Sequence, residues 1–172
     1  MPEETERKQA GSGGAEERTR ARKKALVFLT DMDRSEKELL EKLKKSGFSE
    51  EVCQDAVGYV KSFGYVDDER YAGHYVKSFE TRRSRRRIES DLMRKGIPGE
   101  LIREAIEEID DGEQKKLIDE LARKKLKTLN KEEPKSRRRL ASYLAGKGFS
   151  MSEILPVLRK YFEDDGEDPL LE

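Results

Sequence analysis

Apolar positions recur every four residues in three similar stretches of the chain. Each stretch reads Ser, three residues, Leu or Ile, three residues, Leu, three residues, Gly, and then Phe or Ile, over 35–48, 84–97 and 136–149. Four-residue spacing places the apolar side chains on one helix face, Ser is a favoured N-cap, and Gly ends a helix in the left-handed conformation. The pattern therefore predicts an amphipathic helix in each copy of a tandem repeat.

The same spacing continues between these stretches and predicts nine helices, three to a repeat. Their predicted bounds are 22–32, 35–46 and 49–63, then 68–81, 84–95 and 98–109, then 113–129, 136–147 and 150–162. Pro156 lies inside the ninth helix and predicts a kink or a late start there. Because the connections within a repeat are short, we predict an all-α fold in which three tandem three-helix repeats form an elongated, curved rod.

Composition divides the chain into a leader, three repeats and a tail. The predicted bounds are 1–21 for a flexible leader, 22–66, 67–111 and 112–162 for the repeats, and 163–172 for an acidic tail. The leader contains Gly11-Ser12-Gly13-Gly14 and almost no apolar residue, so its composition cannot offset the entropy of ordering. We expect function to lie on the repeated surface rather than in a single catalytic pocket.

Charge is unevenly distributed along the chain although the net charge is zero. The chain is 43% charged and 34% hydrophobic, which suits several small helical cores better than one thick core. Residues 25–68 carry a net charge of −4, residues 112–162 carry +8, and residues 163–172 carry −6. This distribution predicts a polyanionic partner for the third repeat and a tail that competes for the same surface.

The residue types that most enzyme sites require are scarce. His74 is the only histidine and Cys53 the only cysteine, so no metal site built from several His or Cys residues can be assembled. The chain has neither the phosphate-binding lysine loop nor the glycine-rich dinucleotide motif. We predict that it is not an enzyme and uses no cofactor or metal. A lone cysteine, and no apolar run of about 20 residues, favour a cytoplasmic protein without a membrane span.

Two predicted helix starts carry dense positive charge. The candidate binding residues are Arg82, Arg83, Arg85, Arg86, Arg87 and Arg94 in the second repeat, and Lys135, Arg137, Arg138 and Arg139 in the third. The helix dipole disfavours cations at this end, so helix stability does not explain the choice. Guanidinium groups beside free N–H groups can bind phosphate or carboxylate. The alternative is a solvated or ion-paired face that binds no ligand.

A ten-residue segment joins the first two repeats and carries a family resemblance. It reads Phe63-Gly64-Tyr65-Val66-Asp67-Asp68-Glu69-Arg70-Tyr71-Ala72. This resembles the signature of the RecX family, the bacterial regulators of the RecA recombinase, written roughly L-G-Y-[LIV]-[DN]-D-x-x-[FY]-A. Downstream, Arg87-Ile88-Glu89 and Leu92-Met93-Arg94-Lys95-Gly96-Ile97 resemble a second element of that family. The resemblance covers residues 22–162 with the three-repeat plan of the family.

The junction itself needs no special chemistry. We expect Asp67 or Asp68 to cap the fourth helix, and Tyr65 and Val66 to pack between repeats. A divalent cation held by Asp67, Asp68 and Glu69 is the alternative. We favour the cap, because three adjacent carboxylates on a turn seldom converge without further oxygen ligands.

The resemblance implies a function. RecX-family proteins are regulators, mainly inhibitors, of RecA. They are thought to lie in the groove of the RecA–DNA filament and to modulate filament growth, ATP hydrolysis and strand exchange in recombination, DNA repair and the SOS response. The basic residues would then contact RecA carboxylates and DNA, with weak affinity for single- or double-stranded DNA alone, and the chain would act as a monomer. The alternatives are a sequence-nonspecific DNA-binding repeat protein that acts without RecA, and a scaffold for another acidic protein.

Overall fold

The computed structural model describes residues 3–130 and 133–162, with side chains from residue 14 onward. Its helices are α1 (Glu3–Asp31), α2 (Glu36–Lys45), α3 (Glu50–Ser62), α4 (Asp68–Phe79), α5 (Arg85–Arg94), α6 (Gly99–Glu107), α7 (Asp111–Leu126), α8 (Lys135–Gly146) and α9 (Met151–Tyr161). Over the described ranges there is no strand. The predicted all-α fold with three helices to a repeat is confirmed.

The first helix is longer than the sequence predicts. α1 begins at Glu3 rather than at residue 22, so its helical backbone runs through most of the predicted flexible leader. Ala21 is fully buried, and the Arg18 guanidinium lies 2.5 Å from the Glu51 carboxylate of α3. These contacts hold the helix upstream of residue 22, where the polar composition alone gave no helix signal. The predicted acidic tail, 163–172, lies outside the described residues.

The glycines of the three repeated stretches end their helices as predicted. Gly47, Gly96 and Gly148 have φ of +90°, +80° and +93°, a backbone conformation that favours glycine. At the other end of α2, the Ser35 Oγ accepts a hydrogen bond from the Glu38 N–H at 3.2 Å, so this serine is the predicted cap.

One local prediction in the third repeat, the serine cap at Ser136, is wrong, and one of the two alternatives given for Pro156, the late start of α9, is excluded. Ser136 does not cap α8, because the helix begins at Lys135 and the buried Ser136 hydroxyl donates to the Asn130 carbonyl at 2.5 Å. Pro156 does not delay α9, which begins at Met151 and contains the proline.

Packing divides the described chain into two units, each with its own core. The first unit comprises residues up to 72 together with 93–101, and the second comprises 73–92 together with residues from 102 onward. Fully buried side chains of the first unit include Leu39, Leu43, Cys53 and Val60, and those of the second include Ile88, Leu140, Leu144, Ile154 and Leu158. Burying each leucine or isoleucine side chain contributes about 1.5–3 kcal/mol. Cys53 is thus a core residue.

Candidate protein and nucleic-acid interface

The repeat-2 basic turn, residues 82–87, forms the connection between α4 and α5 and the first residues of α5. Ser84 is 2% exposed, and its Oγ accepts a hydrogen bond from the Arg87 N–H at 3.3 Å. The Arg85 N–H donates to the Gln114 side-chain carbonyl at 3.1 Å. Since two N–H groups of this helix start have partners inside the chain, fewer are left for an external anion than the sequence suggests.

Gln114 of α7 holds this turn in place. Its side chain is buried, and its amide nitrogen donates to the carbonyls of Glu80 at 2.8 Å and Arg83 at 3.2 Å. Together with the bond to the Arg85 N–H, one glutamine satisfies three backbone groups of the α4–α5 connection. No motif or periodicity in the sequence indicates this role for Gln114.

Arg83 points back onto the protein rather than outward. Its guanidinium pairs with the Asp91 carboxylate, which is 3% exposed, and donates to the Tyr75 hydroxyl at 2.9 Å. It also lies 4.2 Å from the centre of the Phe79 ring. Because a buried carboxylate needs a charged or hydrogen-bonding partner, Arg83 stabilises the packing of α4 against α5.

The Arg85 side chain also has its partners within the chain. Its Nη2 atom lies 2.6 Å from an Asp111 carboxylate oxygen and donates to the Ile109 carbonyl at 2.5 Å. Both partners lie between the end of α6 and the first residue of α7, so this half-buried arginine fixes that connection to the start of α5.

The remaining arginines of the turn face solvent. Arg82 and Arg86 are exposed, and neither forms an ion pair or a side-chain hydrogen bond with any residue that the structure describes. The exposed Arg87 guanidinium approaches the Asp91 carboxylate only to 3.9 Å. Arg94, at the end of α5, is exposed too. The predicted cluster therefore separates into structural arginines, Arg83 and Arg85, and accessible ones.

The repeat-3 basic turn, residues 135–139, begins α8. Lys135 is exposed and has no partner among the described side chains, and Arg138 is exposed next to the half-buried Arg137. The Arg139 guanidinium lies 3.1 Å from the Glu133 carboxylate. An exposed pair of this kind contributes little stability, so Arg139 can exchange Glu133 for another anion.

The two basic turns do not form one cluster. The Ser84 hydroxyl donates to the Lys147 carbonyl at 2.8 Å, which places the repeat-2 basic turn at the C-terminal end of α8. The repeat-3 basic turn lies at the opposite end of the same helix. Because α8 has 12 residues, its two ends are about 18 Å apart at 1.5 Å per residue.

This serine-to-carbonyl contact recurs and explains how arginines are tolerated at a helix start. In the other unit, the Ser35 hydroxyl donates to the Lys95 carbonyl at 2.7 Å in the same register. The C-terminal carbonyls of α8 thus face the N-terminal turn of α5, and the negative end of one helix dipole offsets the positive end of the other. The unfavourable interaction between the α5 dipole and the arginines of the repeat-2 basic turn is therefore weaker than it would be in an isolated helix.

The acidic residues Asp67 and Asp68 bind backbone N–H groups at the starts of two helices. The Asp67 carboxylate accepts the Arg70 N–H at 3.0 Å, whereas the Asp68 carboxylate accepts the Glu36 N–H of α2 at 2.9 Å. The prediction that one of the two caps α4 is confirmed for Asp67. Among the side chains that the structure describes, no group of His, Cys, Asp or Glu is arranged to hold a metal ion.

Sequence reasoning missed an exposed aromatic pair at the same junction. Tyr65, which was predicted to pack between repeats, is 53% exposed, and Phe63 is 61% exposed, whereas Val66 is buried. The sequence signal for this exposure was that Phe63 and Tyr65 flank Gly64 and follow Val60, the last apolar residue of α3 that faces the core.

Within the described ranges, no helix has the length and apolar content needed to cross a membrane.

Comparison with known proteins identifies all three repeats. Models of the first, second and third three-helix domains of RecX match residues 21–59, 67–106 and 113–158. Regulatory protein RecX of Clostridium acetobutylicum is 31% identical over 150 residues, covering 84% of this chain and 70% of that protein. The RecX protein of Amycolatopsis mediterranei is 32% identical, covering 80% of this chain and 81% of its relative.

Solved structures show the same fold. The crystal structure of a regulatory protein RecX superposes with a TM-score of 0.82 and 25% identity, over 90% of this chain and 77% of that chain. RecX from Lactobacillus salivarius superposes with a TM-score of 0.77 and 21% identity, over 86% and 97% of the two chains. By its three domain matches and by these relatives, the chain belongs to the RecX family of regulatory proteins.

Proposed function

We propose that this protein is a non-enzymatic, cytoplasmic regulator, mainly an inhibitor, of the RecA recombinase. It would bind the RecA filament on DNA and modulate filament growth, ATP hydrolysis and strand exchange. Family membership supports the regulatory role. The observation that carries the binding mode is the presence of exposed arginines, Arg82 and Arg86, that have no ion-pair partner within the described chain.

The exposed arginines favour an anionic partner. Unpaired guanidinium groups on a fixed turn can donate two parallel hydrogen bonds to a phosphate or a carboxylate. Both groups are present in a protein filament that encloses DNA. We assign direct contacts to Arg82, Arg86, Arg87 and Arg94 in the second repeat, and to Lys135, Arg137, Arg138 and Arg139 in the third. Arg83 and Arg85 would act indirectly, by fixing the turn.

The test is DNA-dependent ATP hydrolysis by RecA on single-stranded DNA, titrated with this protein well below one molecule per RecA. DNA is kept in large excess, so that competition for bare DNA cannot lower the rate. A fall in hydrolysis at substoichiometric ratios is expected, because each bound regulator affects a filament rather than one subunit.

The matched variants reverse two charges each. Arg82→Glu with Arg86→Glu should raise the protein concentration needed for half-inhibition about tenfold, since each lost charge-assisted contact contributes about 1.5–3 kcal/mol before solvent screening. Lys77→Glu with Arg103→Glu is the control, because both are exposed cations without partners among the described residues. The control should inhibit like the wild type.

Three outcomes would count against the proposal. Wild-type protein that lowers hydrolysis only when it coats the DNA would indicate a DNA-binding protein that acts without RecA. Equal losses in both double variants would mean that overall charge, not the repeat-2 basic turn, decides binding. An unchanged Arg82→Glu, Arg86→Glu variant would remove those two residues from the interface.

A further inference from the structure

The end of α3 presents two aromatic rings to solvent. Phe63 is 61% exposed and Tyr65 is 53% exposed, and their ring centres lie 6.2 Å apart. Phe63 also meets the Tyr59 ring edge-on at 5.0 Å. The two rings therefore form one contiguous apolar patch, and exposed apolar patches rimmed by polar residues are where protein partners bind.

Main-chain hydrogen bonds fix the backbone that carries both rings. The Gly64 N–H donates to the Lys61 carbonyl at 2.8 Å, and the Tyr65 N–H donates to the Val60 carbonyl at 3.0 Å. With φ of +71° at Gly64, these two bonds form the Schellman motif that ends α3. Because this backbone is already ordered, no main-chain entropy is lost when a partner covers the rings.

The main-chain bonds and the buried valines of this junction do not depend on the two rings. Val60 and Val66, which flank them in sequence, are buried and supply the apolar contacts of this junction to the core. A polar residue at 63 or 65 would keep the backbone bonds of the Schellman motif, since those involve only main-chain atoms. The solvent-facing parts of both rings are therefore available to an external partner.

The charge around the rings argues against nucleic acid as that partner. Residues 25–68 contain ten acidic and six basic side chains. The Lys61 ammonium is paired, since it lies 2.5 Å from the Glu36 carboxylate, whereas the Arg70 guanidinium donates to the Gly64 carbonyl at 3.1 Å and keeps its charge. Glu69 is exposed, with no partner in the described chain. The adjacent carboxylates Asp67, Asp68 and Glu69 outnumber the one unpaired cation described at this junction, Arg70, so the junction disfavours phosphate and attracts a cation to ring faces and carboxylates together.

We propose that Phe63 and Tyr65 form a docking surface for a protein segment that carries an arginine or lysine beside an apolar side chain. The inference rests on the function proposed above, and it assigns this surface to the protein component of the filament. The basic turns of the second and third repeats then contact phosphate, while the aromatic pair of the first repeat contacts protein.

The experiment measures two affinities for each of three proteins. Each protein is titrated against RecA filaments on single-stranded DNA and against the same DNA alone. The three proteins are the wild type, the double variant Phe63→Ala, Tyr65→Ala and the double variant Val27→Ala, Met32→Ala. Val27 and Met32 are the matched control, because they are exposed apolar residues of α1 and the segment after it in the same unit. Fluorescence anisotropy of labelled protein reports binding, and circular dichroism reports the fold.

The aromatic double variant should bind filaments at least tenfold more weakly, a loss typical of central interface residues, and should bind bare DNA like the wild type. The control should match the wild type in both titrations. Unchanged filament affinity in the aromatic variant would overturn the inference. So would a loss of bare-DNA affinity, which would make the rings a base-stacking surface. Wild-type protein that does not bind filaments at all would remove the proposed function, and with it this partner.

Discussion

At the scale of single residues, the repeated glycines differ in what surrounds them. All have φ near +90°, so replacing any of them with alanine costs about 1–2 kcal/mol for the left-handed backbone. A Cβ at Gly47 would meet nothing within 4 Å, whereas a Cβ at Gly148 would lie 2.5 Å from the Ser84 hydroxyl oxygen. That oxygen is held by its bond to the Lys147 carbonyl and cannot move without losing it.

We therefore predict that Gly148→Ala lowers the free energy of unfolding by about 1 kcal/mol more than Gly47→Ala, the value of one displaced hydrogen bond. Urea unfolding followed by circular dichroism measures both. Equal costs at the two positions would show that the Ser84 contact adapts without loss.

The lowered pKa of Glu38 makes the stability of the fold depend on pH. Burial by itself would raise the pKa of Glu38, but the Lys95 ammonium at 2.6 Å, the Ser35 N–H and the Tyr71 hydroxyl together hold that pKa below its usual range. In the unfolded chain the same carboxyl titrates at about pH 4.3. Its stabilising contribution is therefore complete above that pH and is lost as the pH falls through the lower pKa of the folded state.

Glu38→Gln should make the free energy of unfolding fall less steeply below about pH 4.3 than it does in the wild type. Urea titrations at a series of acidic pH values provide the measurement. The control is Glu41→Gln, which alters an exposed side chain without a partner in the described chain. A wild-type slope in the Glu38 variant would mean that its contacts do not survive in solution.

At the scale of elements, local pattern was sufficient to place the helices except for the start of α1, which lies well upstream of its predicted position. The four-residue apolar spacing and the Ser and Gly boundaries predicted α2 and α5 to within one residue at each end. The partners of the basic turn could not be predicted in this way. Arg85 meets Ile109 and Gln114, which are 24 and 29 residues away, and Ser84 meets Lys147, 63 residues away. Periodicity within one helix contains no information about such contacts, so all arginines of the turn looked equivalent.

The distinction between structural and accessible arginines predicts their effects on stability. Arg83→Ala removes the guanidinium that pairs with the buried Asp91, and Arg85→Ala removes the bond to the Ile109 carbonyl. Each should lower the free energy of unfolding by about 1–3 kcal/mol. Arg82→Ala and Arg86→Ala should change it by less than about 0.5 kcal/mol, as expected of exposed side chains. Thermal or urea unfolding of the four variants separates the classes, and comparable losses in all four would refute the division.

At the scale of the whole molecule, charge is sorted along the chain. Residues 25–68 are net acidic and residues 112–162 are net basic, so phosphate contacts should be concentrated on the third repeat and on the exposed arginines of the repeat-2 basic turn. Each phosphate contact releases condensed counterions, and for single strands the slope of log affinity against log salt is about −0.7 per contact. The slope therefore counts the basic side chains that contact DNA, independently of the protein contacts proposed for Phe63 and Tyr65.

Arg82→Ala with Arg86→Ala should make this slope shallower by about 1.4, two contacts at about 0.7 each. Lys77→Ala with Arg103→Ala, which removes equal charge from exposed positions of the same unit, should leave the slope unchanged. Affinities for a labelled single strand at several salt concentrations give both slopes. If the control flattens the slope as much as the test variant does, DNA binding depends on net charge and the repeat-2 basic turn has no special role. If only the test variant does, the turn contacts phosphate directly, and the bonds from Gln114 and Asp91 that fix it become part of the binding mechanism.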